Sequence, residues 1–329
     1  MTMKKINLAV VGATGMVGQT FLKVLAERNF PIDNLYLFSS AKSAGKKVIY
    51  EGKAYTVELL TEKSFDRPID IALFSAGGDV SKKFAPLAAE KGVIVVDNSS
   101  AWRMDPQIPL VVPEVNPERV KEHHGIIANP NCSTIQSVVP LKYLNDAFTI
   151  KRVVYSTYQA VSGSGLAGVR DLEEGIKGGE PTNYPYPIAY NCLPQIDSFL
   201  DNGYTKEEIK MIEETRKILD MPNLPVTATT VRVPVRNGHA VSINVEFEKA
   251  FEMEEVFNLF KGAKGLVLQD DCTTNTYPMP ILADGKDEVF VGRIRRDFSV
   301  ENGLNLWVVA DNIRKGAATN TIQIAELLL

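Results

Sequence analysis

INLAVVGATGMVG, residues 6–18, is the stretch that decides the fold of this chain. Its apolar half, residues 6–11, is typical of a parallel strand that is buried on both faces. Glycines at positions 12, 15 and 18 follow, and an amphipathic helical pattern starts at Met16. In this setting the first glycine permits a tight turn, the second lets amides approach a pyrophosphate, and the helix N-terminus stabilises the anion. We expect a dinucleotide-binding loop, although the spacing GxxGxxG alone would also suit glycines that only ease a turn.

The residues that follow alternate between strand and helix patterns. Each predicted strand is a short apolar run, and each predicted helix has apolar residues every three or four positions. The predicted strands are Leu35–Ser39, Asp70–Ser75, Val93–Asp97 and Gly125–Ala128, and the predicted helices are Met16–Arg28 and Asp79–Lys91. This alternation predicts βαβ units, and hence an N-terminal Rossmann-like, doubly wound parallel sheet of the α/β class.

From residue 151 onward the sequence changes character. Stretches with period-two alternation, such as AVSINVEFE at residues 240–248, predict a second α+β domain with a mixed or antiparallel sheet. A length of 329 residues also suits two domains better than one. We expect the first domain to cover residues 1–130, completed by a C-terminal helix at 313–329, and the second to cover 131–312.

The loop after the second predicted strand bears on the choice of dinucleotide. Residues 38–46, FSSAKSAGK, contain no carboxylate that could bind the ribose 2′-hydroxyl of NAD. The hydroxyl groups of Ser40 and Ser43 and the ammonium group of Lys42 suit a 2′-phosphate instead. The sequence therefore favours NADP over NAD, the alternative being a solvated polar loop without a ligand.

The overall composition excludes several classes of protein. With 45% hydrophobic and 23% charged residues the chain is of the ordinary soluble globular kind, and its net charge of -4 argues against a nucleic-acid partner. Three cysteines without a CxxC pair indicate neither a disulfide framework nor a zinc cage, so no metal is expected. The first apolar run is too short for a signal sequence or a membrane span. We expect a cytoplasmic protein with reduced thiols.

One cysteine stands in a setting that suits catalysis. Cys132 follows a predicted strand and the residues Asn-Pro-Asn, and it precedes an apolar helical run, so it falls at a helix N-terminus. The helix dipole and unpaired amides there stabilise a thiolate. Beside a nicotinamide, such a thiolate can add to an aldehyde and retain a thioester after hydride loss. The alternative is a small buried core thiol; Cys192 and Cys272 lack this context and are expected to be inert.

Three polar residues are candidate partners of the thiol. His239 lies at a strand–turn–strand junction and could take the thiol proton and shuttle it, because imidazole titrates near neutrality. Arg232 stands in an otherwise apolar strand and needs an anion, for which a carboxylate is the natural partner. Arg103 follows a strand at the carboxyl edge of the sheet, where ligands bind in this fold class.

Eight motifs together resemble the aspartate-semialdehyde dehydrogenase family, in the group typical of Gram-positive and related bacteria. They occur in the family's order and span residues 12–321. The motifs are GATGMVG, SSAKSAG, DNSSAWR, NPNCST, YQAVSGSG, EETRKI, VRVPVRNGH and KGAATNT. Lys42 stands where many relatives carry arginine, and this departure bears on cofactor preference, because lysine cannot grip a phosphate bidentately.

The resemblance implies a role for each matching residue. Cys132 would be the nucleophile, His239 the acid/base, and Gln159 would orient the substrate or intermediate. Arg232 would hold the substrate carboxylate with help from Glu214, while Arg103, Asn131 and Lys217 would cradle phosphate. The residues expected to contact the cofactor are Gly12, Thr14, Gly15, Met16, Val17, Ser40, Lys42, Ser43, Ser162, Gly163, Gly165 and Asn320. Without the resemblance, Glu214 and Lys217 would be taken for a surface helical ion pair.

The implied reaction is the interconversion of L-4-aspartyl phosphate and L-aspartate 4-semialdehyde, with NADP(H) and inorganic phosphate. It would feed lysine, methionine and threonine synthesis, and the second domain would serve catalysis and assembly into a homodimer or homotetramer. One alternative is N-acetyl-glutamyl-phosphate reductase chemistry on a longer, acylated substrate. Another is a catalytically silent nucleotide-binding paralogue, whose expected mark would be loss of the cysteine or the histidine.

Overall fold

The computed structural model describes residues 5–329, so residues 1–4 of the predicted first domain lie outside the described residues. The chain divides into two compact units. The first unit runs to Pro130 and is completed by Ala317–Leu329, and the second comprises Asn131–Gly316. The functional roles predicted for the two domains stay predictions. Among the described residues, no helix is both long and apolar enough to cross a membrane.

The first unit is built on a parallel sheet. Its strands are β1 (Ile6–Val11), β2 (Ile32–Ser39), β3 (Lys47–Tyr50), β4 (Lys53–Thr56), β5 (Glu58–Leu59), β6 (Ile71–Phe74), β7 (Ile94–Asp97) and β8 (Ile126–Ala128), and its first helices are α1 (Met16–Glu27) and α2 (Gly78–Glu90). Six strands form the sheet in the order β5-β2-β1-β6-β7-β8, and β3 pairs with β4 in a separate antiparallel hairpin. The strand order therefore reverses at β1, as expected of a doubly wound fold.

The predicted Rossmann-like sheet is confirmed in type and in the positions of its strands. All five pairings within the sheet are parallel. Five of the six residues of β1 are buried, as its continuous apolar sequence predicted. β2 begins at Ile32, earlier than the predicted Leu35, because the polar residues Asp33 and Asn34 separate Ile32 from the apolar run.

The second unit contains a mixed sheet that α-helices flank. Its elements are α3 (Cys132–Phe148), β9 (Ile150–Gln159), α4 (Gly165–Ile176), α5 (Lys206–Ile218), β10 (Val226–Arg232), β11 (His239–Phe247), α6 (Met253–Phe260), β12 (Leu266–Leu268), α7 (Pro280–Ala283), β13 (Val289–Asp297) and β14 (Gly303–Ala310). The strand order is β10-β9-β11-β14-β13-β12, in which the two outermost pairs are parallel and the inner pairs antiparallel. This confirms a mixed sheet.

The end of the chain differs from the single helix expected there. A π-helical turn, Arg314–Thr319, precedes the last helix, α8 (Asn320–Glu326). The amide of Gly316 donates to the carbonyl of Asp311, an i→i+5 bond that no 3.6-residue periodicity predicts. Ile322 and Ile324 of α8 are completely buried in the core of the first unit.

Candidate active site

The glycine loop after β1 has the geometry of a phosphate-binding turn. Gly12 has φ +87°, and a Cβ there would lie 2.2 Å from the carbonyl oxygen of Ser75, so only glycine fits. A Cβ on Gly18 would lie 2.2 Å from the carbonyl oxygen of Gly12, which requires the third glycine. Gly15 is the N-cap of α1 and offers no side chain to its first amides. These amides are therefore suited to an anion such as the pyrophosphate of a dinucleotide.

The loop after β2 folds as a tight turn beside this glycine loop. The amides of Ser43 and Ala44 both donate to the carbonyl of Ser40, and the side chain of Lys42 is exposed. The hydroxyl groups of Thr14 and Ser39 are 3.0 Å apart and join the two loops. The ammonium group of Lys42 is therefore accessible to an anion, whereas the side chain of Ser43 is buried and less accessible than predicted.

Arg103 is fixed at the carboxyl edge of the parallel sheet. Its Nε donates to the carbonyl of Asn129 at 2.9 Å and its Nη2 to the carbonyl of Asn98 at 3.0 Å. The Asn98 side chain accepts from Asn129, whose oxygen in turn accepts from Asn320 at 2.8 Å. Asn320 also donates to the carbonyl of Val111, so both of its amide hydrogens serve the interior of the first unit.

Cys132 is the first residue of α3, so its predicted place at a helix N-terminus is confirmed. Asn131 is the N-cap: its Oδ1 accepts from the amides of Ser133 at 2.9 Å and Thr134 at 3.3 Å. Cys132 itself is partly exposed. A thiolate at this position gains from the helix dipole.

Two carboxylates of α5 hold Asn131. Glu214 Oε2 accepts from its backbone amide at 2.6 Å, and Glu207 Oε1 accepts from its Nδ2 at 2.8 Å. Glu207 and Glu214 are two helical turns apart and share one face. The sequence reasoning missed Glu207, although its spacing of seven from Glu214 was a usable signal. With its oxygen and one amide hydrogen engaged, Asn131 is structural here as well as a predicted phosphate ligand.

The imidazole of His239 is completely buried and points one nitrogen away from protein partners. Its Nδ1 accepts a hydrogen bond from the amide of Ala160 at 3.0 Å, so the ring hydrogen resides on Nε2. Among the described residues, Nε2 has no hydrogen-bond partner. Burial, and then the nearby guanidinium of Arg232, hold the pKa of His239 well below its ordinary value of 6.5. Both effects disfavour the protonated ring, and the contact with Ala160 places the hydrogen of the neutral ring on Nε2.

Arg232 and His239 both form hydrogen bonds with the backbone of Ala160. Its Nη1 donates to the carbonyl of Ala160 at 2.7 Å, and within the described chain its buried Nε has no hydrogen-bond partner. A Cβ built on Gly163 would lie 2.8 Å from Arg232 Nη1 and 3.3 Å from His239 Nε2. The missing side chain of Gly163 therefore allows the guanidinium and the imidazole to pack closely against its backbone.

The other predicted residues of the second unit are held by their own contacts. Gln159 donates from Nε2 to Glu207 at 3.1 Å, and its Oε1 accepts from Thr157 at 3.0 Å. Ser162 donates to Asn237 at 2.8 Å and accepts from Asn312 at 2.9 Å. Gly165, with φ +69°, begins α4. Lys217 lies one helical turn after Glu214 on α5.

Two residues that the sequence did not single out position Cys132. Gln136, one turn further along α3, donates to the carbonyls of His239 at 3.1 Å and Val308 at 3.2 Å. A Cβ on Gly316 would lie 2.7 Å from the Cβ of Cys132, so the π-helical turn packs directly against Cys132. No local sequence pattern indicates either contact, because both join segments that are distant along the chain.

Comparison with known proteins assigns both halves of the chain to one family. Residues 7–123 match the NAD binding domain of semialdehyde dehydrogenases, and residues 141–315 match their dimerisation domain.

Individual relatives match over nearly their full length. An aspartate-semialdehyde dehydrogenase of Aquifex aeolicus is 58% identical, with 98% of each chain covered. The crystal structure of aspartate semialdehyde dehydrogenase II from Vibrio cholerae, complexed with ASA, superposes with a TM-score of 0.96 at 49% identity, covering 99% of this chain and 98% of that one. An aspartate semialdehyde dehydrogenase from Candida albicans, solved with NADP, is 27% identical with a TM-score of 0.80, and 99% and 98% of the two chains are covered.

Proposed function

The chain belongs to the aspartate-semialdehyde dehydrogenase family, and on that premise we propose that it interconverts L-4-aspartyl phosphate and L-aspartate 4-semialdehyde. In the biosynthetic direction NADPH is consumed and phosphate is released, which would supply lysine, methionine and threonine synthesis. The observation that carries this proposal is the convergence of Arg232 Nη1 and His239 Nε2 on Gly163, in the unit that also holds Cys132.

Cys132 is the proposed nucleophile. In the oxidative direction its thiolate adds to the aldehyde carbon and gives a tetrahedral adduct with a negative oxygen. Bound NADP would supply the hydride acceptor for this adduct, and hydride loss would leave a thioester on Cys132. Phosphate then attacks the thioester, forms the acyl phosphate and releases the thiolate. The reverse sequence reduces aspartyl phosphate.

We propose that His239 stabilises the adduct oxygen by donating its Nε2 hydrogen. The sequence suggested that His239 removes the thiol proton, but Nε2 already carries a hydrogen because Nδ1 accepts from Ala160. A buried donor without a partner is suited to an oxygen on which charge develops. The helix N-terminus, not the imidazole, is the proposed source of thiolate stabilisation.

Anion binding is divided between two groups of side chains. Arg232 is the proposed ligand of the substrate carboxylate, because its Nη1 is already fixed by Ala160 and its Nε faces no protein acceptor among residues 5–329. Glu214 supports this side of the site by fixing Asn131. Arg103, Asn131 and Lys217 remain the proposed phosphate ligands.

NADP is the proposed cofactor. Gly12, Thr14, Gly15, Met16 and Val17 would hold its pyrophosphate at the first amides of α1, and Ser40, Lys42 and Ser43 its 2′-phosphate. Support comes from the uncapped amides of α1 and the exposed ammonium of Lys42. Ser162, Gly163, Gly165 and Asn320 remain proposed contacts of the nicotinamide.

A second copy of the chain is the proposed partner. The mixed sheet packs α3 on one face, whereas the other face carries Tyr158, 41% exposed, with its ring 5.2 Å from that of Trp307. Aromatic side chains on an uncovered sheet face are typical of protein interfaces. We propose a homodimer through this face, to be distinguished from a homotetramer by analytical ultracentrifugation. The cytoplasmic location stays a prediction.

The decisive experiment is the formation of NADPH by the purified protein given aspartate semialdehyde, with and without phosphate. Turnover that depends on phosphate and is absent from Cys132→Ala would support the proposed reaction and nucleophile together. Turnover with N-acetyl-glutamate semialdehyde alone would move the substrate assignment, and no turnover with either aldehyde would favour a silent paralogue.

A further inference from the structure

We propose that Glu207 is a positioning residue that fixes the nucleophile and its partner residues through one carboxylate oxygen. Glu207 Oε1 accepts hydrogen bonds from Asn131 Nδ2 at 2.8 Å and from Gln159 Nε2 at 3.1 Å. Its role in turnover rests on the function proposed above, whereas its geometry does not.

The side-chain amides of Asn131 and Gln159 belong to segments that hold different residues of the proposed site. Asn131 caps α3, so its position determines where Cys132 begins the helix. Gln159 ends β9, and the next residue, Ala160, offers its amide to His239 and its carbonyl to Arg232. One oxygen of Glu207 therefore ties the start of the nucleophile helix to the backbone that orients the imidazole and the guanidinium.

Glu207 is suited to this task because a carboxylate only accepts hydrogen bonds. An Asn or Gln amide can turn either end toward a neighbour, and a carboxylate selects the NH2 end of both. The oxygen ends are then directed elsewhere: Asn131 Oδ1 to the amides of α3, and Gln159 Oε1 to Thr157. A glutamine at position 207 would lose this selection, because its amide can donate as well as accept hydrogen bonds.

The charge of Glu207 is maintained although the side chain is only 5% exposed. Burial alone would raise the pKa of this carboxyl, but Lys210 and the two amide donors outweigh burial and lower it. Lys210 Nζ lies 3.2 Å from Glu207 Oε2 and 2.7 Å from Asp197. The second oxygen thus has its own cation, which leaves Oε1 to the two amides.

Substitution at the adjacent carboxylate provides a matched control. Glu208 is also buried, at 8% exposure, but it accepts only from the backbone amides of Thr205 and Thr230. We expect Glu207→Gln to lower kcat/KM by about tenfold to a hundredfold, while Glu208→Gln stays within about twofold below its unfolding temperature. Glu207→Asp keeps the charge but withdraws the oxygen, and we expect a loss like that of Glu207→Gln.

A double-mutant cycle separates positioning from general destabilisation. If Glu207 acts through Gln159, the substitution Glu207→Gln should cost much less in a Gln159→Ala background than in the native chain. Equal losses in both backgrounds, or native kcat/KM in Glu207→Gln, would overturn the proposal.

A spectroscopic measurement stands apart from turnover and so from the proposed function. In NMR spectra of the native protein, the side-chain NH2 groups of Asn131 and Gln159, assigned by their loss in the alanine variants, should be shifted as expected for bonds to a carboxylate. Glu207→Gln should move both signals and Glu208→Gln neither. Two signals at the positions of solvated amides in the native protein would refute the geometry even if no Glu207 variant folds.

Discussion

At the scale of single residues, Ala160 and Arg232 determine where the imidazole of His239 carries its hydrogen and how readily it is protonated. The amide of Ala160 occupies Nδ1, while burial and the charge of Arg232 disfavour the protonated ring. The folded chain therefore keeps the imidazole neutral at pH values where an unfolded histidine, with a pKa near 6.5, takes up a proton.

The stability of the protein should accordingly fall with pH below 6.5. Because the unfolded state binds one more proton there, the free energy of unfolding is expected to decrease by at most about 1.4 kcal/mol per pH unit from this residue. His239→Gln should lack this part of the pH dependence. Denaturant unfolding of both chains at pH 7.5 and 5.5 measures the difference, and parallel losses would exclude His239 as the cause.

Gly163 should tolerate no side chain. In Gly163→Ala the new methyl group would stand 2.8 Å from Arg232 Nη1 and 3.3 Å from His239 Nε2 and would displace both. A shift of about 1 Å in such groups can cost a hundredfold in rate, so we expect kcat/KM to drop by about that factor. Steady-state kinetics test this, with circular dichroism as the control for folding. Native activity would show that the reaction does not depend on the close packing of Arg232 and His239 against Gly163.

The sequence predicted the local setting of Cys132 better than the contacts around it. Cys132 was found because a cysteine between a strand and a helix has a recognisable local setting. Gln136 and Gly316 were missed because each contacts residues more than 100 positions away, which no periodicity reveals, whereas the spacing of Glu207 from Glu214 was a signal that went unused. The direction of the hydrogen on His239 was also out of reach, since it depends on the amide of Ala160 in space.

At the scale of elements, the N-terminus of α3 is held by side chains of α5. An N-cap is usually served as well by aspartate as by asparagine. Here the N-cap side chain must also donate, because Glu207 accepts from Asn131 Nδ2, while Glu214 accepts from the backbone amide of the same residue. The helix terminus therefore depends on a second helix as much as on its own sequence.

Asn131→Asp should for this reason be destabilising despite its capping ability. It would place a third carboxylate among buried ones, and an uncompensated buried charge costs about 3–5 kcal/mol. The loss of stability should grow as pH rises, because at low pH protonation of the new carboxylate or of its neighbour relieves their repulsion. Thermal unfolding at pH 5 and 7.5 provides the measurement. A variant as stable as the native chain at pH 7.5 would contradict the described contacts.

Elements with a strong period were predicted well, and those without one were not. β1 and α1 lie within a residue of their predicted bounds, since an apolar run and an amphipathic helix meet at glycines. The turn Arg314–Thr319 was expected to be α-helical, and its π-helical geometry was missed because its residues are individually compatible with either helix.

At the scale of the whole molecule, the first unit is discontinuous in sequence. Ala318, Ile322, Ile324 and Ala325 complete a core whose other members precede residue 130. Arg28 of the first unit also pairs with Glu326 through two bonds of 2.7 and 2.6 Å. The last residues are therefore integral to the parallel-sheet unit.

Shortening one buried side chain of α8 should show that the stability of the first unit depends on this helix. Ile322→Ala removes a completely buried side chain and is expected to lower the free energy of unfolding by about 2–5 kcal/mol. Leu327→Ala, at a position 42% exposed, is the matched control and should change it by less than about 0.5 kcal/mol. Guanidinium unfolding compares the two, and similar small effects would mean that α8 is dispensable for the core.

The return of the chain to its first unit also sets an order of events during synthesis on the ribosome. At about 5–20 residues per second, translation of Asn131–Gly316 takes roughly 10–40 s, and throughout that time the emerging parallel sheet lacks its final segment. The unit that is made first is thus completed last. Newly made chains have to keep the unfinished apolar surface beside β6 and β7 from aggregating until Ala317–Leu329 emerge.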